Sequence, residues 1–380
     1  MSLSRRRFVH LLGAGGTGAM LAPAVAARGL EAALAGGRRA PIDPAALVRL
    51  DSNENPNGPG PAARDALAVA LGGVHRYPDD AVDALTAAVA RANGVDAAHV
   101  CVGCGSTDVL RAAVYAYCGP TRALVTAAPT YEAPSADAER VGAAVRAVPV
   151  RGDLRLDLAA MADAARGAGL VYLCNPNNPT ATVHGRAAVS DFVARVLRDT
   201  PDCTILVDEA YHDYVDDPSY ASAIGLALEN PRVVVARTFS KVHGMAGLRV
   251  GYAIGTRPTI EAIARHTLSL GVNGPGAAAA LASVGAADHV AHERALNRDA
   301  RDFTRRFFVD AGYAPSASET NFVMVDIRRD AQAFRDACRA QGVAIGRLFP
   351  PLRTHARVTI GTMDEMQRAT AVFRRVLGTA

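Results

Sequence analysis

Lys241 lies in the segment Arg237-Thr238-Phe239-Ser240-Lys241-Val242-His243, directly after an apolar run at residues 233–236. A lysine amine condenses with an aldehyde once burial or nearby positive charge lowers its pKa. Thr238, Ser240 and, further on, Arg249 add hydroxyls and a guanidinium, groups suited to a phosphate ester. Alone, such a lysine reads equally well as a surface residue. A second apolar run, residues 204–207, ends in Asp208-Glu209-Ala210-Tyr211. An aspartate there can hold a protonated pyridine nitrogen and make the ring an electron sink, and Tyr211 can donate to a phenolic oxygen. A plain helix cap is the alternative. In Leu173-Cys174-Asn175-Pro176-Asn177-Asn178-Pro179-Thr180 two prolines fix an extended loop and leave the Asn178 amide free, unless the segment is only a turn. Gly103-Cys104-Gly105-Ser106-Thr107-Asp108 places small residues and hydroxyls where a helix begins. That is a phosphate cradle built from N–H groups and the helix dipole, or an ordinary capped helix.

All four segments follow the same kind of element. Residues 99–102, 123–126, 170–173, 204–207, 233–236 and 250–254 are nearly continuously apolar, as parallel strands covered on both faces are. Helical stretches such as 108–117 and 187–198 alternate with them. The expected fold class is α/β: a mostly parallel sheet with helices on both faces, plus a smaller α+β domain. Ligands in such sheets bind beyond the carboxyl ends of the strands, where the four segments lie. The expected division is 76–276 for the large cofactor-binding domain and 277–380 for the small one. Residues 41–75 are expected to pack with the small domain.

Residues 1–40 read as an address. Arg5-Arg6-Arg7-Phe8, a weakly apolar middle and Ala24-Val25-Ala26 have the layout of a twin-arginine export signal, which implies a periplasmic destination. A basic amphipathic helix, in a cytoplasmic protein, is the alternative. The G-x-G-x-x-G match at Gly13–Gly18 has no preceding strand, so it is not a dinucleotide site. The net charge of +4 is concentrated in this leader, which leaves the remainder near neutrality and gives no footprint for nucleic acid. No apolar run after residue 41 is long enough to span a membrane. Six scattered cysteines make no disulfide framework, and Cys101-x-x-Cys104 lacks the second ligand pair a zinc site needs, so no metal is expected.

Further segments extend the pattern: Leu50-Asp51-Ser52-Asn53-Glu54-Asn55-Pro56-Asn57-Gly58-Pro59, Arg76-Tyr77-Pro78-Asp79, Pro129-Thr130-Tyr131 and Arg357-Val358-Thr359-Ile360-Gly361-Thr362. In this order and spacing the chain resembles the fold-type-I pyridoxal-phosphate aminotransferases, most closely their histidinol-phosphate aminotransferase-like branch, over residues 47–375. The resemblance implies pyridoxal 5'-phosphate held as a Schiff base by Lys241, with Asp208 on the pyridinium and Asn178 and Tyr211 on the ring oxygen. It places Tyr131 on the ring face and Gly105, Ser106, Thr107, Thr238, Ser240 and Arg249 around the phosphate. Tyr77 would reach the phosphate of a neighbouring subunit, implying a homodimer with shared sites. Arg357 would grip the substrate anion, with Arg347 and the loop carrying Asn53 and Asn55 completing the substrate side. Two departures stand out: Ala181 where the family usually has glycine, and Arg347 one residue later than the usual arginine.

The implied reaction is transamination between an amino donor and a 2-oxo acid such as 2-oxoglutarate. The donor is histidinol phosphate, as in histidine biosynthesis, or an aromatic or other amino acid. The export signal argues against the first, because that pathway is normally cytoplasmic. A lyase of the threonine-phosphate decarboxylase or β-elimination type would use the same lysine. A binding protein that merely keeps the fold would not need both Lys241 and Asp208.

Overall fold

The computed structural model describes residues 47–379; the export signal expected at residues 1–40, with its glycine-rich match, lies outside them. Seven strands form the main sheet: β2 (Val100–Cys104), β3 (Ala123–Ala128), β4 (Val145–Pro149), β5 (Ala168–Cys174), β6 (Thr204–Asp208), β7 (Val233–Thr238) and β8 (Val250–Gly255). Their order is β2-β8-β7-β6-β5-β3-β4. Strands β3 to β7 pair in parallel, and β8 runs antiparallel to both β2 and β7. Every apolar run anticipated as a strand is one. The edge strand β4 was not anticipated, because Arg146 and partial exposure give it no buried face to read.

Alternate residues of each central strand enter two cores. Val171, Leu173, Ile205, Val207, Val233 and Val235 meet the helices Leu158–Ala164 and Arg186–Asp199. Leu170, Tyr172, Leu206, Val234 and Ala236 meet the helix Ser106–Tyr117 through Val109, Leu110 and Ala113. Side chains as fully buried as Leu110 and Leu206 each contribute about 1.5–3 kcal/mol relative to exposure. In register, Cys174 lies opposite Asp208 and Asp208 opposite Ala236. β5 and β6 therefore finish in one row, and β7 runs two residues further to Thr238. The antiparallel β8 passes under the start of helix Ser106–Tyr117 so closely that a Cβ on Gly251 would lie 2.2 Å from the Ser106 nitrogen.

The C-terminal portion has its own core of Phe308, Val323, Val325, Phe334, Val358 and Phe373. There β9 (Phe322–Asp326) pairs antiparallel with β11 (His355–Thr359), and β1 (Val48–Leu50) pairs parallel with β10 (Val343–Ile345). Thr362 and Glu365 close a capping box on the last helix, Met363–Leu377. The segment 41–75, expected to pack with the small domain, divides within its described part. β1 joins the C-terminal core, whereas the helix Pro61–Ala70 shares a core with Asp79–Ala92 and Gly274–Val284. The expected boundary at 276 thus falls inside the helix Gly274–Val284, whose small residues pack against the large sheet's flank. The described residues, 47–379, cluster as one compact unit.

Candidate active site

The strand ends border a cavity of about 200 Å³ lined by Ser106, Thr107, Tyr131, Asn178, Asp208, Tyr211, Thr238, Ser240, Lys241 and Arg249, together with Ser52, Glu54 and Cys174. Most cofactor residues anticipated from the sequence converge here from separate strand ends. A larger cavity of about 640 Å³, lined by Asn93, Arg237, His243 and Arg294, includes neither Lys241 nor Asp208.

Lys241 Nζ donates to the Asn53 carbonyl at 3.0 Å and lies 5.5 Å from the Tyr211 ring centroid. Burial first, and then the positive charge of Arg357, pull its pKa down to about 8. A substantial neutral fraction exists near physiological pH, as an amine that must attack an aldehyde requires. Asp208 is 3 % exposed. Its Oδ1 accepts from the Ala210 backbone at 3.1 Å and its Oδ2 from the Tyr172 hydroxyl at 2.7 Å. Burial pushes its pKa up to about 6, while Tyr172, Ala210 and Lys241 hold it down, so it is mostly ionised at neutral pH. Next along the chain Glu209 is tied to Arg237 at 2.9 Å and to the Ala223 nitrogen at 2.6 Å, which locks the end of β6 to β7.

At the other end of the cavity Thr238 Oγ1 donates to Ser240 Oγ at 3.0 Å, and Arg249 Nη1 donates to Ser240 Oγ at 3.2 Å and the Ala246 carbonyl at 2.8 Å. Arg249 holds a left-handed backbone conformation, φ 57°, unusual for a residue with a side chain. Gly105 has φ 74°, and a Cβ there would lie 2.2 Å from Arg249 Nη2. The backbone of Gly105, the hydroxyls of Ser106, Thr107, Thr238 and Ser240 and the Arg249 guanidinium thus make an anion cradle at a helix N-terminus. Ring-nitrogen acid, reactive amine and phosphate cradle fit pyridoxal 5'-phosphate. Tyr131 lines the same cavity, its hydroxyl 3.5 Å from Thr107 Oγ1.

None of the substrate-side residues lines the cavity itself, and they separate into two groups: Arg357 and Asn53 bond the lining residues Asn178 and Tyr211, whereas Asn55 and Arg347 bond none. Arg357 is 7 % exposed and donates to Asn178 Oδ1 at 2.8 Å and the Asp51 carbonyl at 2.9 Å. Its pKa falls to about 10, chiefly through burial. The Asn178 oxygen is thereby committed to Arg357, which leaves its NH₂ as the group able to donate into the cavity. Asn53 Nδ2 donates to the Tyr211 hydroxyl at 3.2 Å, and its Oδ1 accepts from Thr359 at 2.9 Å. Asn55 is not among the residues lining the cavity. It holds the Val242 carbonyl at 2.8 Å and Glu293 at 3.0 Å, and so anchors the lysine loop. Arg347 turns to Glu132 at 2.5 Å and stacks 4.3 Å from the Phe349 centroid, whose ring also lies 4.7 Å from the Arg357 guanidinium. Tyr77 is 80 % exposed and outside its own chain's cavity.

Three residues escaped the sequence reading: Tyr172, Glu132 and Phe349. Tyr172 left one signal, a hydroxyl within an otherwise wholly apolar buried strand. Cys101 and Cys104 lie on β2, which Cys104 ends. Both are free thiols, and burial raises the Cys101 pKa to about 11.

The model of the aminotransferase class I and II family matches residues 45–373. A histidinol-phosphate aminotransferase of Symbiobacterium thermophilum is 39 % identical over 87 % of this chain and 91 % of its own. An aromatic amino acid aminotransferase of Thermobifida fusca is 34 % identical over 86 % of this chain and 89 % of its own. Among solved structures, the histidinol-phosphate aminotransferase of Sinorhizobium meliloti in complex with pyridoxal-5'-phosphate superposes with a TM-score of 0.81 at 29 % identity, covering 87 % of this chain and 90 % of that one.

Proposed function

Because this chain belongs to the class I and II aminotransferases and transfers amino groups with pyridoxal 5'-phosphate, we propose that its donor carries an anion that docks on Arg357, which stands just behind the cavity-lining Asn178. The observation that carries this reading is the Arg357 guanidinium. It is buried, fixed by Asn178 and Asp51, flanked by Phe322 and Phe349, and has its Nε without a partner among the described residues. Histidinol phosphate, the donor in the names of several relatives, supplies such an anion as a phosphate. A second reading, an aromatic amino acid docking through its carboxylate, is favoured by one contact. Glu132 already pairs with Arg347, so of these two arginines only Arg357 is without a carboxylate ion pair among the described residues, where a phosphate dianion would use both.

Bound in the cavity, the cofactor supplies the electron sink for the bond broken at the donor Cα. The residue roles follow from the resemblance and are supported by the geometry above. Lys241 holds the cofactor aldehyde and afterwards carries the Cα proton on Nζ. Asp208 holds the ring nitrogen, the NH₂ of Asn178 and the hydroxyl of Tyr211 the ring oxygen, and Tyr131 covers the ring face. The cradle from Gly105 to Thr107, with Thr238, Ser240 and Arg249, holds the phosphate.

The chain acts as a homodimer in this reading. Val69, Leu71, Val74, Tyr77 and Leu270 are exposed apolar or aromatic side chains, several of them bordering a cavity of about 560 Å³, which supports a second copy packing on this face with Tyr77 reaching its site. Export through Arg5 and Arg6 is part of the same proposal. Replacing both with lysine should hold the protein in the cytoplasm on fractionation, and unchanged export would refute it.

A single-turnover screen decides the donor. The purified holoenzyme is mixed with histidinol phosphate, histidine, aromatic amino acids or glutamate while the cofactor absorbance is followed. Bleaching by histidinol phosphate alone establishes the first reading, and bleaching by aromatic amino acids establishes the second. Release of carbon dioxide or ammonia without a stoichiometric keto product would instead indicate a lyase.

A further inference from the structure

We propose that Tyr172 is a positioning residue for the reaction: its hydroxyl, anchored in the sheet core, holds Asp208 as a carboxylate so that the cofactor's ring nitrogen keeps its proton. This rests on the assignment of Asp208 to that nitrogen.

Tyr172 is 1 % exposed and sits on β5 opposite Leu206, two residues before Cys174, which lies opposite Asp208. The phenol therefore approaches Asp208 diagonally from within the core that underlies helix Ser106–Tyr117. Its 2.7 Å contact to Oδ2 is a hydrogen bond of charge-assisted length. Burial and the Asp208 charge keep the phenol un-ionised far above neutrality, so in this pair it can only donate.

The groups facing Asp208 come from three sources: Tyr172 and Cys174 on β5, the Ala210 nitrogen and Glu209 on its own segment, and Lys241 on the loop after β7. Burial favours the neutral acid and Glu209 acts in the same sense, whereas Tyr172 is the foremost of the groups opposing it. Between a buried carboxylate and a pyridine nitrogen the proton rests on whichever is the stronger base. A donor on Oδ2 weakens the carboxylate as a base and leaves the proton on nitrogen. Without that donor the proton moves toward the carboxylate, and the ring loses the charge that makes it an electron sink.

The test uses a four-way cycle of wild type, Tyr172→Phe, Asp208→Asn and the double variant. Each is loaded with cofactor labelled with ¹⁵N in the ring, and each is also titrated with cofactor as the apo-protein across pH. In Tyr172→Phe the ¹⁵N shift should move toward the unprotonated value. The acid limb of cofactor affinity should move up by about one pH unit, and the donor half-reaction should slow about tenfold or more at little-changed KM. In the Asp208→Asn background the same substitution should change none of these. Because loss of the hydroxyl could perturb packing, 3-fluorotyrosine at position 172 provides a second variant. It keeps the ring and strengthens the donor, and should move the acid limb down. An unchanged ¹⁵N shift and acid limb in Tyr172→Phe, while Asp208→Asn alters both, would overturn the inference and leave Asp208 in place. No effect of Asp208→Asn would instead remove the assignment of Asp208 itself. Equal effects of Tyr172→Phe with and without Asp208 would reduce Tyr172 to packing.

Discussion

Replacing Gly105 with alanine isolates the phosphate cradle from the rest of the site. Two costs follow from the structure. Alanine at φ 74° pays for a left-handed backbone conformation, which destabilises the apo-protein by about 1 kcal/mol. The new Cβ would stand 2.2 Å from Arg249 Nη2 and 2.9 Å from its Cζ. An ordinary contact is about 3.5 Å, so the guanidinium must retreat by about an ångström. Arg249 is fixed by Ser240 Oγ and the Ala246 carbonyl, so it can retreat only by breaking those bonds. The hydrogen bond it would give a phosphate is worth about 1.5–3 kcal/mol, so cofactor affinity should fall about 10- to 100-fold. Titration of the apo-protein followed by absorbance measures this directly, and thermal unfolding of the apo-protein measures the backbone cost. Gly247→Ala is the control, because a Cβ there meets nothing within 4 Å. A dissociation constant for Gly105→Ala within threefold of the parent would refute the cradle.

Four further outcomes are expected. Reductive trapping of apo Lys241 by a small aldehyde should show a rate midpoint near the lysine pKa of about 8. A midpoint at the usual lysine value would contradict its environment. The lysine's folded-state pKa lies below its unfolded value, so it destabilises the apo-protein fully below about pH 8 and progressively less as pH rises from there. Lys241→Met should therefore raise the apo melting temperature near pH 7, and the gain should shrink in alkaline buffer. Glu132→Gln should change stability by less than about 0.5 kcal/mol, since the pair is exposed, yet lower KM for histidinol phosphate relative to an aromatic amino acid by freeing Arg347. Steady-state kinetics on both donors check this, and an unchanged KM ratio would mean Arg347 lies outside substrate reach. Mixing inactive Lys241→Ala with Tyr77→Ala subunits should restore activity in hybrid dimers with one intact site, and no restoration would argue against shared sites.

The strands that carry the site were legible because each is a continuous apolar run, and burial on both faces leaves little other pattern for such a strand to have. Lys241, Asp208 and Asn178 were legible for a related reason: polar residues directly after such runs must emerge at the carboxyl edge of the sheet. Gly105 and the hydroxyls after it marked a helix start, and a local rule connects that composition to an anion site. What local patterning could not specify is direction and pairing. The antiparallel course of β8 places Gly251 beneath Ser106, and nothing in its own apolar run distinguishes it from a parallel strand. The edge strand β4, partly or fully exposed along its length, needed its neighbour β3 to become a strand at all. Asn55 read as a substrate ligand and anchors the lysine loop, since its partners Val242 and Glu293 are 187 and 238 residues away in sequence. Arg347 read as a substrate cation and is held by Glu132, at a separation of 215 residues. Tyr172 read as core and touches the acid of the site. Residue type and spacing determined which chemistry the chain can assemble, because they act within a single element. Only the tertiary fold decided which of two similar side chains meets the substrate, because that depends on contacts between elements that sequence separation does not encode.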